Sequence, residues 1–99
     1  NMRKIILRPD VPFHNSCDVA IIDITDGSEK KRGKLTLEYA RVDVQQLIDR
    51  GMDLPEAMEY YRTAVDANVR HYIAGDWTCE EGLDTVMDIV EEHIRSYFD

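Results

Sequence analysis

The sequence predicts an α+β fold, in which a small antiparallel sheet packs against an antiparallel helical hairpin, with one short helix connecting the two parts. Two observations lead to this prediction. The hydrophobic period changes from two to about 3.6 residues near residue 43. The charge changes at nearly the same point, since residues 51–99 hold twelve Asp and Glu against three Arg and no Lys. We therefore expect one domain over residues 1–99, with a β-rich part at 1–42 and an acidic helical part at 43–99.

Three strands are predicted in the first part. Residues 4–7 form a short apolar strand, and Pro9 and Pro12 bracket the irregular segment that follows it. Residues 18–25 and 34–41 then alternate in polarity and predict a hairpin, because Asp26 and Gly27 open a turn between them. We expect residues 28–33 to form an extended polar loop at the tip of this hairpin.

The alternation also predicts which strand faces are buried. In the last strand Leu35, Leu37 and Tyr39 should point to the core. In the central strand the face of Ala20, Ile22 and Ile24 is expected to be buried, since the opposite face carries Asp23 and Thr25.

Helix boundaries are indicated by capping residues. Asp43 predicts the start of a short helix that ends at Arg50, with Gly51 in a left-handed position after it. Asp53 and Glu56 form a capping box for a helix that runs to about residue 74. Its predicted inner face consists of Met58, Tyr61, Val65, Val69, Tyr72 and Ile73. A second capping box at 78–81 predicts a helix to about residue 97, packed antiparallel to the previous one.

The composition limits the compartment and the class of partner. No apolar run approaches the roughly 20 residues that span a bilayer, so we expect a cytoplasmic protein without membrane contact. Cys17 and Cys79 are expected to be reduced thiols. The net charge of −8 makes direct binding to nucleic acid unfavourable over the whole surface.

Two pairs of carboxylates have the spacing of a metal site. Glu56 and Glu59, and then Glu81 and Asp84, stand three residues apart, which places each pair on one face of a helix. This E-x-x-E and E-x-x-D spacing resembles the motif of the all-α nucleoside triphosphate pyrophosphatases of the MazG type. The resemblance implies a Mg²⁺-dependent nucleotide hydrolase in which these four side chains hold the metal. The alternative is that acids in first helical turns cap their helices.

A tetrahedral zinc site is a further alternative, because His14, Cys17, His71 and Cys79 supply nitrogen and sulfur ligands. Their spacing lacks the tight turn that usually holds the metal, and the alternative is a loop histidine, a helical histidine and two reduced thiols. No cofactor is expected.

Three surfaces are candidates for binding a partner. The first is a basic segment in the predicted hairpin loop, and the second is a row of acidic residues along the third helix. The third consists of apolar residues that lie outside the predicted buried faces of the helices. The acidic row resembles, in broad terms, small DNA-mimicking inhibitors such as some phage-encoded anti-defence proteins. The residues of the three surfaces are Lys30, Lys31 and Arg32; Asp84, Asp88 and Glu92; and Tyr60, Trp77 and Ile89.

No motif in the sequence names a reaction. We therefore predict a non-enzymatic interaction or regulatory protein, oligomeric, that binds a protein partner through a charged or apolar helical surface. The DNA-mimic inhibitor and the Mg²⁺-dependent hydrolase stay as alternatives.

Overall fold

The structure, a computed structural model, describes residues 3–99. Residues 1 and 2, which the predicted domain includes, lie outside the described residues. The secondary-structure elements are β1 (Arg3–Pro9), β2 (Ser16–Thr25), β3 (Ser28–Glu38), α1 (Arg41–Asp49), α2 (Leu54–Arg70), β4 (Cys79–Glu81), α3 (Leu83–Ile94) and a 3₁₀ turn at Arg95–Phe98. They form an α+β fold, as the sequence predicts. No helix within these residues is long and apolar enough to cross a bilayer.

The sheet has the strand order β3-β2-β1-β4 and is mixed. β1, β2 and β3 pair antiparallel, as predicted, whereas β4 pairs parallel with β1. The prediction that residues 78–81 form a capping box at the start of a helix is wrong. The segment instead adds an edge strand before α3 begins at Leu83.

The hairpin between β2 and β3 is tighter than predicted. Asp26 and Gly27 both have positive φ angles, 51° and 81°, and Thr25 pairs directly with Ser28 across this two-residue turn. The extended loop predicted at residues 28–33 is therefore wrong, because β3 includes all of it. A β-bulge absorbs one residue, since Ile21 pairs with Gly33 and Ile22 with Lys31, which leaves Arg32 without a partner in the register.

The buried face of β2 is the opposite of the predicted one. Val19 and Ile21 lie in the core cluster with Cys17, and Ala20, Ile22 and Ile24 point to the other side of the sheet. The prediction was wrong because it took the charge of Asp23 as a sign that the face of Val19 and Ile21 is exposed. The buried residues of β3 are those predicted, Leu35 and Leu37, and Tyr39 follows them.

Both helices predicted from capping residues before residue 75 are present. α1 begins one turn earlier than expected, and Asp43 lies at its third position, where its carboxylate accepts a hydrogen bond from the Ala40 amide at 3.1 Å. α2 begins with the predicted capping box, because Asp53 Oδ1 accepts from the Glu56 amide at 2.9 Å and Glu56 Oε1 accepts from the Asp53 amide at 3.2 Å. α2 ends four residues earlier than predicted, at Arg70.

Gly82 joins β4 to α3 at a point where only glycine fits. Its φ angle is +100°, and a Cβ atom there would lie 1.7 Å from the Leu7 carbonyl oxygen of β1. The close approach holds the start of α3 against the sheet. From there Val86, Met87 and Val90 reach the core.

Two tyrosines of the helical part cover the free edge of β3. The Tyr61 hydroxyl donates to the Glu38 carbonyl at 2.8 Å, and the Tyr72 hydroxyl donates to the Lys34 carbonyl at 3.4 Å. Burial raises the pKa of Tyr61, which keeps its hydroxyl protonated as a donor. Tyr72 was predicted to be buried, but it is half-exposed and its ring lies over Gly33. An edge strand with occupied carbonyls is a poor template for another strand.

Candidate interaction surfaces

A buried carboxylate organises the basic segment. Asp23 is 3% exposed and points to the core side of the sheet at its hairpin end. Its Oδ2 lies 3.2 Å from both Arg3 Nη2 and Arg32 Nε, and its Oδ1 accepts from the Thr25 hydroxyl at 3.0 Å. Burial raises the pKa of Asp23. The hydrogen bonds from Arg3, Thr25 and Arg32 lower it by more than burial raises it, so the net pKa lies below its ordinary value.

These contacts change the role of Arg32. Arg32 was expected to be a free cation at a loop tip, together with Lys30 and Lys31. Arg32 instead neutralises a buried carboxylate together with Arg3. Lys30 and Lys31 are exposed on opposite faces of β3, because Lys30 pairs with Asp23 and Lys31 with Ile22. The three cations therefore do not form one surface.

The other face of the sheet is crossed by an ion pair. Arg8 of β1 donates to Glu29 of β3 at 2.6 Å. Both side chains lie on the same face of the sheet as Ile22, which belongs to the strand between them, β2. Ile22 is buried although it lies outside the core cluster. Its burial fits a position beneath the long side chains of this pair, since such side chains commonly cover apolar surface.

The paired carboxylates are not gathered into a metal site. Glu81 lies in β4 and Asp84 in α3, so the two do not share a helical face, and that part of the prediction is wrong. Glu56 is engaged in the capping box of α2. Within residues 3–99 no three His, Cys, Asp or Glu side chains come together in a way that could hold a metal ion. The structure gives the hydrolase hypothesis and the zinc set of His14, Cys17, His71 and Cys79 no geometric support.

The two cysteines lie in different surroundings. Both are free thiols, with Cys17 buried in the core and Cys79 partly buried in β4. Burial raises the pKa of Cys17, and the nearby Asp18 and Asp10 carboxylates raise it further. The Cys17 thiol is therefore a core side chain and a poor nucleophile.

The acidic row lies on α3 as predicted. Asp84, Asp88 and Glu92 are exposed at successive helical turns. None of the three has an ion-pair partner within residues 3–99, whereas the neighbouring Glu91 is bound by Arg95. The row is thus a surface of uncompensated negative charge.

Of the three apolar residues predicted for an interface, one is open to solvent. Tyr60 is half-exposed on α2, with the Arg50 guanidinium 5.9 Å from its ring centroid. Trp77 and Ile89 are partly buried and pack against the core. They belong mainly to the interior of the fold.

The most exposed apolar side chains are ones that the sequence analysis missed. Val11 and Phe13, in the segment between β1 and β2, are 81% and 64% exposed, and Val42 at the start of α1 is 65% exposed. A sequence signal was present, since two large apolar residues stand in a segment that Pro9 and Pro12 exclude from regular structure.

The loop that carries Val11 and Phe13 has a fixed backbone. The Phe13 amide donates to the Ser16 carbonyl at 2.9 Å, and the Tyr39 hydroxyl donates to the Phe13 carbonyl at 3.0 Å. Two further bonds, Asp10 N to Asp18 O and Tyr39 N to Asn15 O, are both 2.9 Å long. We call residues 10–15 the apolar end.

Comparisons with protein-family models, with curated proteins and with solved structures found no match to this chain.

Proposed function

We propose that this protein is a non-enzymatic interaction protein that binds a second copy of itself through the apolar end. The observation that supports the proposal is the outward display of Val11 and Phe13 on a loop whose backbone is hydrogen-bonded in place. Large apolar side chains that a fixed backbone holds out to solvent favour contact with another protein surface. The two free thiols fit a reducing compartment such as the cytoplasm.

The physical gain comes from removing these side chains from water. Full burial of a Val or Phe side chain contributes roughly 1.5–3 kcal/mol. A loop that is already ordered loses less conformational entropy on association than a mobile one. Each copy carries a net charge of −8, so two copies repel each other. Salt screens this repulsion and therefore favours association through an apolar contact.

The test is sedimentation equilibrium over a concentration series at low and high salt. We expect the wild-type protein to associate, and the Val11→Ser, Phe13→Ser variant to weaken association by at least about tenfold, the equivalent of one lost apolar contact. Tyr60→Ser is the matched control, since it removes a half-exposed aromatic side chain of α2 that is not part of the apolar end. A single-chain mass at every concentration would refute the proposal.

The salt dependence of association distinguishes an apolar interface from one held together by opposite charges. If Lys30 and Lys31 of one copy met Asp84, Asp88 and Glu92 of another, association would weaken as salt rises. Association through the apolar end should be unchanged or strengthened by salt. A loss of association at high salt would therefore contradict the apolar interface.

The acidic row supports a second candidate, a DNA-mimic inhibitor. Its support is the set of three exposed carboxylates on α3 that lack cation partners within the described residues. Such a protein should compete with DNA for a basic DNA-binding protein, and Asp84→Lys with Asp88→Lys should abolish the competition. Equal competition by the wild type and this variant would exclude the mimic.

A further inference from the structure

A pocket opens between α2, β4 and the start of α3, and its lining includes no residue of the apolar end. Its volume is about 330 Å³, within the range of small-molecule sites. Val65 of α2, Leu83 of α3 and Trp77 of the segment before β4 give it apolar walls. Arg62 and Asp66 of α2, with Thr78 and Cys79, complete the lining.

Arg62 is the unusual residue of this pocket. Within residues 3–99 it is the one arginine that has no hydrogen bond, ion pair or ring contact. This is unexpected in residues 51–99, where acids outnumber arginines twelve to three. The other two arginines of that part, Arg70 and Arg95, both bind carboxylates. Arg62 thus places an uncompensated guanidinium beside an apolar pocket.

The one carboxylate of the lining is already engaged. Asp66 Oδ2 accepts from Arg70 Nε at 2.9 Å, and Asp66 Oδ1 accepts from the Trp77 indole nitrogen at 3.0 Å. The hydrogen bond from Arg70 lowers the pKa of Asp66 most, and burial opposes it. Asp66 therefore orients the indole ring, and Arg70 offsets the charge that would otherwise repel an anion.

From this geometry we propose that the pocket binds a small amphiphilic carboxylate, with its aliphatic or aromatic body against Trp77, Val65 and Leu83 and its carboxylate on Arg62. Arginine presents a planar set of donors that matches a carboxylate. The apolar walls supply the burial that such a ligand needs. The site is independent of the apolar end and of self-association.

The chain contains its own reporter for this site, because Trp77 is its one tryptophan. The experiment titrates the protein with octanoate and, separately, with octan-1-ol, and follows tryptophan fluorescence at an excitation wavelength that tyrosine does not absorb. We expect a saturable change with octanoate at a concentration about tenfold lower than with octan-1-ol, since a charge-assisted hydrogen bond adds to the same apolar contact.

Variants then test the role of the guanidinium. Arg62→Gln should raise the octanoate concentration needed by about tenfold and leave the response to octan-1-ol unchanged. Because Arg62 has no partner in the fold, this substitution should not alter stability, which a urea unfolding curve checks. Arg50→Gln is the control, since it removes the same charge from a residue outside the pocket lining.

Three outcomes would overturn the proposal: no saturable change with octanoate, equal responses to octanoate and octan-1-ol in the wild type, or an octanoate response that Arg62→Gln leaves intact.

Discussion

The Nε atom of Arg32 lies 3.2 Å from the Oδ2 atom of Asp23, so a cation expected at a loop tip serves a buried carboxylate instead. Arg3 binds the same carboxylate from β1, which ties three neighbouring strands together near the hairpin end of the sheet. A buried charge is tolerated only when it is paired and hydrogen-bonded. Both arginines therefore serve the stability of the sheet.

Removing both guanidiniums should be costly. We expect Arg3→Ala with Arg32→Ala to lower the free energy of unfolding by about 2–3 kcal/mol in urea denaturation. This is less than the about 3–5 kcal/mol of a fully buried pair, because the arginine side chains are 45% and 40% exposed and water screens them. Lys30→Ala is the control, and a change beyond about 0.5 kcal/mol there would point to a general charge effect.

The same carboxylate predicts a pH dependence. The folded-state pKa of Asp23 is below its ordinary value of 3.8, so its ionised form stabilises the fold above that pH. This contribution is lost as the pH falls below about 4 toward the folded-state pKa. The difference in free energy of unfolding between wild type and Asp23→Asn should be constant from neutral pH to about 5 and should shrink at pH 3. A constant difference over the whole range would contradict the role of Asp23.

Two glycine substitutions should differ sharply in cost. Gly82→Ala places a methyl group against the Leu7 carbonyl at a positive φ angle, and we expect a loss of at least about 3 kcal/mol. Gly33→Ala meets the Tyr72 ring at 2.4 Å, but that ring is half-exposed and can rotate away, so we expect about 1 kcal/mol. Thermal unfolding measures the loss of stability in each variant. When combined with Tyr72→Ala, the loss from Gly33→Ala should disappear and the loss from Gly82→Ala should remain.

Alanine substitutions in the two predicted capping boxes should have different effects on the free energy of unfolding. Asp53→Ala should destabilise the protein by about 1 kcal/mol, because Asp53 caps α2. Thr78→Ala should change the stability by less than about 0.5 kcal/mol, because Thr78 precedes a strand and caps no helix. Urea unfolding measures both, and an equal loss in the two variants would support a helix beginning at residue 78.

Predictions from the sequence succeeded where the signal was local. The box of Asp53 and Glu56 depends on neighbouring backbone groups, and it defined the start of α2 correctly. The face of β2 depends instead on what packs against it. Ile21 and Ile22 are equally apolar, and the arginines that make Asp23 tolerable on the Ile21 side come from other strands. Long-range pairing also explains why β4 was missed.

The candidate surfaces show the same limit. Hydrophobicity alone could not separate Trp77, which packs against the core, from Phe13, which points into solvent. The acidic row on α3 was predictable because helical spacing fixes which residues share a face. The pocket beside Arg62 was not, because it depends on how residues 77–83 pack against α2.

The pairing of β4 with β1 has a consequence for synthesis on the ribosome. β1, β2 and β3 are complete once residue 38 has been added, but the strand that closes the outer edge of β1 ends at residue 81. At about 5–20 residues per second, the intervening stretch takes roughly 2–9 s to translate. During that interval the nascent sheet has an open edge on β1, where a neighbouring chain or a chaperone can bind before the C-terminal part emerges.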